Sequence, residues 1–165
     1  MPNNDIDKSN MYQSIYDFSK HIEESFSWFK NNSNIDIDSF NEIKSIMILG
    51  MGGSAITGLL VKEIFKNDLT IPVYVNQGYE IPKWVNKNTL IIACSYSGNT
   101  EEALISCKKA FSNTSNLICL SKGAKLYDLF KENKILNFVK MPSGLQPRAA
   151  LGFSLSLMLL LLKKL

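Results

Sequence analysis

Histidine, cysteine and arginine are scarce in this chain, and each scarcity excludes something. The single histidine, His21, and the three cysteines, Cys94, Cys107 and Cys119, include no CxxC pair. Ligand sets with zinc-type spacing are therefore missing, and an odd, widely spaced set of thiols does not make a disulfide framework. Only Arg148 among the 18 basic residues is an arginine; the others are lysines scattered along the sequence, and the net charge is +3. A nucleic-acid binder gathers its charge into a patch or stripe, so nucleic acid is not an expected partner. The longest apolar run, Leu157 to Leu162, is far too short to span a bilayer. The polar start, MPNNDIDKSN, is not a signal peptide. What is present, 45% hydrophobic and 20% charged residues in 165, is the make-up of one globular domain with a substantial core. A soluble cytoplasmic protein without metal or cofactor is expected.

Ile15, Phe18, Ile22, Phe26 and Phe29 are spaced by three and four residues. This spacing predicts an amphipathic helix over about 10–30, with His21 at its surface or boundary. Asn31 to Ser39, rich in Asn, Ser and Asp, reads as a loop. From Ile43 onward short apolar runs alternate with helical patterns. Strands are expected at 46–49, 71–75, 90–94, 117–120 and 135–139, and helices at 54–66, 101–111, 125–130 and from about 147 to the end. Strands apolar on both faces and separated by helices imply a parallel sheet covered on each side. The expected fold is α/β, a doubly wound five-stranded parallel sheet with an added N-terminal helix. Its expected division is residues 1–42 as helix and loop and 43–165 as the domain proper. Such sheets bind ligands beyond the carboxyl ends of their strands.

Three turns lie at such ends. The first is Gly50-Met51-Gly52-Gly53-Ser54-Ala55. It is a poor dinucleotide fingerprint, because strand two ends in Val75-Asn76-Gln77 with no acidic residue. It is also no GxxxxGK[ST] loop. A glycine turn opening a helix nonetheless offers backbone N–H groups to an anion; a ligand-free tight turn is the lesser alternative. The second turn is Ser95-Tyr96-Ser97-Gly98-Asn99-Thr100-Glu101-Glu102. A capping box of Asn99 and Glu102 explains part of it but leaves Ser95 and Ser97 unexplained; hydroxyls and helix-start amides together suit a phosphate. The third, Met141-Pro142-Ser143-Gly144-Leu145-Gln146-Pro147-Arg148, carries the lone arginine. Its position suggests a task that needs a planar bidentate donor, against the alternative of a structural ion pair.

Together GMGGSAITG, SYSGNTEE and GLQPRAALG, with GYEIP between them, resemble the SIS (sugar isomerase) domain of bifunctional phosphoglucose/phosphomannose isomerases over about residues 43–152. The resemblance implies that Gly53, Ser54, Ser95, Ser97 and Thr100 hold the phosphate of a sugar phosphate. It implies further that Arg148 lies by C1–C2 and stabilises an enediolate, the oxyanion that forms as a proton moves between those carbons. In the family the base, histidine and lysine come from a second SIS domain, which would begin where this chain ends, at Leu165. Thr57, Leu59 and Ala124 depart from the family pattern, in which glycine, an acid and glycine are usual, without removing a phosphate donor.

The six apolar residues from Leu157 to Leu162 leave no polar face on the last helix, so a partner surface is expected: a homodimer, or a second SIS domain in trans. The function implied is the phosphosugar-binding part of an aldose–ketose isomerase, incomplete alone. A non-catalytic phosphosugar-binding sensor or interaction module is the alternative.

Overall fold

A computed structural model describes residues 6–165. Its core is a six-stranded sheet in the order β1-β6-β5-β4-β2-β3, formed by β1 (Ser33–Asn34), β2 (Ser45–Leu49), β3 (Val73–Asn76), β4 (Thr89–Ser95), β5 (Leu117–Ser121) and β6 (Phe138–Lys140). The last five strands are mutually parallel and correspond to the five expected. β1 adds a two-residue antiparallel edge, pairing Ser33 with Val139, in a segment read as loop. That segment also holds a 3-10 turn at Ile37–Ser39.

Alternation along each strand sorts side chains to the two faces. Ile46, Ile48, Leu90, Ile92 and Cys94 point into one core, and Met47, Leu49, Ile91 and Ala93 into the other. Helices α3 (Gly53–Ile64) and α6 (Leu151–Lys164), with α2 (Phe18–Asn32), cover the first face; α4 (Glu101–Ala110) and α5 (Ala124–Glu132) cover the second. β4, flanked by β2 and β5 and buried along all seven residues, is the central strand. The three cysteines lie buried as free thiols within these cores.

The N-terminal helix departs from expectation in two ways. It is divided at Asp17 into α1 (Met11–Tyr16) and α2, and the stripe Ile15, Phe18, Ile22 and Phe26 faces outward. The face packed on α6 instead carries His21, Ser25, Trp28 and Phe29. Gly152 makes this docking possible: a Cβ there would lie 2.9 Å from the His21 Cβ and 3.1 Å from the Phe18 carbonyl oxygen. His21 is therefore buried rather than at the surface, with its ring 4.8 Å from that of Phe153 and its Nδ1 unpartnered. Trp28 fixes the far end of α2 by donating its indole N–H to the Lys140 carbonyl at 2.7 Å. Helix α6 begins at Leu151, four residues later than its pattern suggested, because Pro147 to Ala150 form turns.

Candidate functional site

β2 and β4 are hydrogen-bonded neighbours, yet their following helices, α3 and α4, cover opposite faces of the sheet. The crevice that opens between such strand ends is where parallel α/β sheets hold ligands. The glycine turn after β2 and the serine turn after β4 form its two lips.

Direct contacts join the three turns. The Tyr96 backbone N–H donates to Ser54 Oγ at 3.3 Å, linking the second turn to the first. The Tyr96 phenol oxygen accepts from the Leu145 N–H at 2.9 Å, linking it to the third. Gly53 closes the ring: a Cβ there would sit 3.2 Å from the Pro147 carbonyl oxygen and 3.9 Å from the Arg148 Cα. No larger residue fits this contact without displacing backbone.

Within the serine turn the hydroxyls are ordered from the inside outward. Ser95, at the buried end of β4, shares a 2.9 Å hydrogen bond with Thr100 Oγ1 and accepts the Gly98 N–H at 3.2 Å. Ser97, half-buried, accepts the Asn99 N–H at 3.2 Å and lies 3.5 Å from Thr100 Oγ1. Gly98 has φ of 69°, and a Cβ on it would fall 1.9 Å from the Gly123 carbonyl oxygen, so the turn is built around a residue without a side chain. Helix α4 begins at Glu101 with Thr100 as its N-cap, and the Thr100 side chain makes no capping bond. The Asn99–Glu102 capping box does not form; Ser97 and Ser95 instead occupy the turn's amide donors.

Gly53, Thr100 and Arg148 line one cavity of about 380 Å³, with Met11, Met51, Gly52, Gln146 and Pro147. Ser95 and Ser97 reach that wall through their contacts with Thr100, and Ser54 is tied to the serine turn through Tyr96. The starts of α3 and α4 thus meet the same space, where first-turn amides lack intrahelical partners and favour an anion. Arg148 is exposed at its edge and adds a permanent positive charge, while Lys122 Nζ lies 5.4 Å over the Tyr96 ring nearby. Beneath the floor, burial pushes the Cys94 thiol up to about 12, partly offset by Ser54, so it stays protonated and unreactive at neutral pH. His21 belongs elsewhere, beside a separate cavity of about 230 Å³ with Ser143 and Leu145.

Two contributors to this site carried no functional signal in the sequence. Tyr96 lies inside a recognised motif but looks like a spacer there; its role depends on a contact 49 residues away. Met11 enters from α1, a segment with no motif at all. Among the described residues, no group of three or more His, Cys, Asp or Glu is placed to hold a metal ion, and no helix is long and apolar enough to cross a membrane.

The model of the SIS domain family matches residues 39–162. A bifunctional phosphoglucose/phosphomannose isomerase of Caldicellulosiruptor bescii is 40% identical over 155 residues, covering 94% of this chain and 45% of that protein. A protein of the same description from Thermoplasma acidophilum is 38% identical over 109 residues, 66% of this chain and 33% of its own length. The chain thus spans less than half the length of these relatives. Among solved structures, the C-terminal domain of glucosamine-fructose-6-phosphate aminotransferase from Francisella tularensis superposes with a TM-score of 0.69 at 18% identity, over 97% of this chain and 48% of that one. It shares the fold.

Proposed function

This chain belongs to the SIS domain family, and on that premise we propose that it is the phosphosugar-binding domain of an aldose–ketose isomerase acting on glucose or mannose 6-phosphate and fructose 6-phosphate. The observation that carries this reading is the meeting of Gly53, Thr100 and Arg148 around one cavity at the ends of the central strands. In the proposed mode, the amides at the starts of α3 and α4 and the hydroxyls of Ser54, Ser97 and Thr100 take the phosphate. Buried Ser95 holds Thr100 in its rotamer. The phosphate needs no lysine there, because two helix starts supply donors and partial positive charge.

Arg148 is then left for the other end of the sugar. Moving a proton between C1 and C2 places negative charge on the carbonyl oxygen, and a fixed guanidinium stabilises that charge without reorganising. The reaction also needs a base for the C–H proton and an acid to open the sugar ring. In this proposal a second SIS domain supplies both, with residues 43–165 forming the first domain and 1–42 a helical extension that braces it. The protein would work in the cytoplasm, on soluble metabolites.

One observation favours a second reading. None of the described residues lining the Arg148 cavity is an acid or a histidine, which suits a module that binds phosphosugars without converting them. Calorimetric titration with fructose 6-phosphate, with inorganic phosphate alone and with the Ser97→Ala variant tests the shared core of both readings. Saturable binding that weakens in the variant supports it, and no binding by the folded chain overturns it. A coupled assay for glucose 6-phosphate formation then separates the readings: turnover by this chain alone would show that the base need not come from a second domain.

A further inference from the structure

Helix α1 buries none of its residues, so core packing does not account for its place. One carboxylate fixes its start: Asp7 accepts the backbone N–H groups of Met11 at 2.8 Å and of Tyr12 at 2.9 Å. Asn10, at φ of 51°, turns the chain into the helix. At the other end the Gln13 side-chain amide donates to Asp17 Oδ1 at 2.9 Å, on the residue that separates α1 from α2. Local hydrogen bonds thus hold a short, exposed helix beside the strand-end cavity. There Met11, half-buried, lines the wall together with Met51, Pro147 and Arg148.

That wall is of two kinds. Gly52, Gly53 and Thr100 present helix-start amides and a hydroxyl, which suit phosphate oxygens. The side chains of Met11, Met51 and Pro147 present hydrocarbon and thioether sulfur, which offer such an oxygen no donor. We propose that Met11 is a specificity-determining residue of this cavity: it packs on the C–H face of the carbon chain of a bound sugar phosphate and closes that end to water. This role presupposes that the cavity binds a phosphosugar, as proposed above, and adds to the three turns a residue from outside them. A flexible, polarizable thioether adapts to irregular surfaces, which suits a sugar that changes shape as its ring opens. Water shut out beside Arg148 leaves the guanidinium charge less screened toward an oxygen of that chain. Inorganic phosphate has no C–H surface and gains nothing from Met11.

Labelling the methionine methyl groups of the whole chain with carbon-13 tests this by NMR, with the fully buried Met47, Met141 and Met158 as internal references. Fructose 6-phosphate should shift the Met11 methyl resonance, identified by its loss in Met11→Leu, and inorganic phosphate should leave it in place. In calorimetry Met11→Ala should weaken fructose 6-phosphate about fourfold, the worth of one methylene group taken out of water, with phosphate affinity unchanged. Met11→Leu should recover most of that loss. Tyr12→Ala, on the same helix and 56% exposed, should match wild type for both ligands, which separates a contact at Met11 from a loosening of α1. If fructose 6-phosphate binds without moving the Met11 methyl, or binds Met11→Ala as well as wild type, the inference is overturned and the phosphosugar reading stands. Equal losses for both ligands overturn it too, because Met11 would then act through the turns and not on the sugar. A chain that binds neither ligand overturns the phosphosugar reading itself, and the role of Met11 with it.

Discussion

The phenol oxygen of Tyr96 accepts the backbone N–H of Leu145 across 2.9 Å, three residues before the arginine of the third turn. Tyr96 is nearly fully buried, and its own backbone N–H is spent on Ser54. One side chain between two motifs therefore fixes the distance from the serine turn to the arginine loop. Burial raises the Tyr96 pKa, and the bond from Leu145 counters it in part, as expected for an acceptor oxygen. Tyr96→Phe keeps the ring and removes only the acceptor, leaving the Leu145 N–H unpaired. Denaturant unfolding should show a loss of about 1 kcal/mol. If the strut holds Arg148 in place, ligand binding should weaken beyond what that small loss of stability explains.

Ala124 opens α5 with φ of 59°, in the left-handed region that L-residues with a Cβ avoid. The resemblance implies glycine at this position, and the backbone has a conformation that glycine suits. Relief of left-handed strain is worth roughly 1–2 kcal/mol, against about 0.4–1 kcal/mol for the extra freedom glycine gives the unfolded chain. Ala124→Gly should therefore raise stability by up to about 1 kcal/mol, read as a higher denaturation midpoint with an unchanged slope. An unaltered or lower midpoint would mean that the turn tolerates alanine without strain.

The parallel sheet was legible because buried strands are apolar on both faces and cannot alternate: Ile46 to Leu49 and Leu90 to Cys94 have no polar residue to offer solvent. The candidate site was legible at the level of turns, since glycines and hydroxyls gathered just after such strands mark the end of the sheet at which a crevice opens. Other features were hidden for physical reasons. β1 has only two residues and no period to detect. The stripe from Ile15 to Phe26 correctly predicted helix but not which face is covered, because periodicity reports apolarity and not the neighbour that covers it. The neighbour is α6, and its Gly152 admits the backbone of α2 where a larger residue would have held it away. His21 looked superficial among lysine and glutamate neighbours in sequence, yet that close crossing buries it against Phe153.

Three buried thiols make a signature in alkaline solution. Burial raises Cys94 to about 12, and raises Cys107 and Cys119 too, above the ordinary value of 9.0. An acid whose folded pKa is raised keeps its proton in the native state while the unfolded chain releases it. Stability is therefore fully present below pH 9 and is lost as pH climbs from there toward 12. Each thiol contributes a slope of about 1.4 kcal/mol per pH unit in that window. Unfolding titrations at pH 8 and 10 should show the fall, and Cys107→Ala should lessen its steepness; equal slopes in both proteins would show that the thiols are not its source.

Arg148 is exposed, and among the described residues its guanidinium donates no hydrogen bond and forms no ion pair, so replacing it should barely touch the fold. Arg148→Lys keeps the charge but loses the planar pair of donors, and its unfolding free energy should stay within about 0.5 kcal/mol of wild type. Binding should discriminate between ligands instead. Inorganic phosphate would be held by the turns around Thr100, and its affinity should change little. A hydroxamate of a five-carbon sugar phosphate presents paired oxygens where an enediolate would carry its charge. Because stabilisation belongs to the developing oxyanion rather than to the ground state, that mimic should lose roughly tenfold or more in affinity while fructose 6-phosphate loses less. Equal losses for all three ligands would place Arg148 at the phosphate and remove the argument for an isomerase over a sensor.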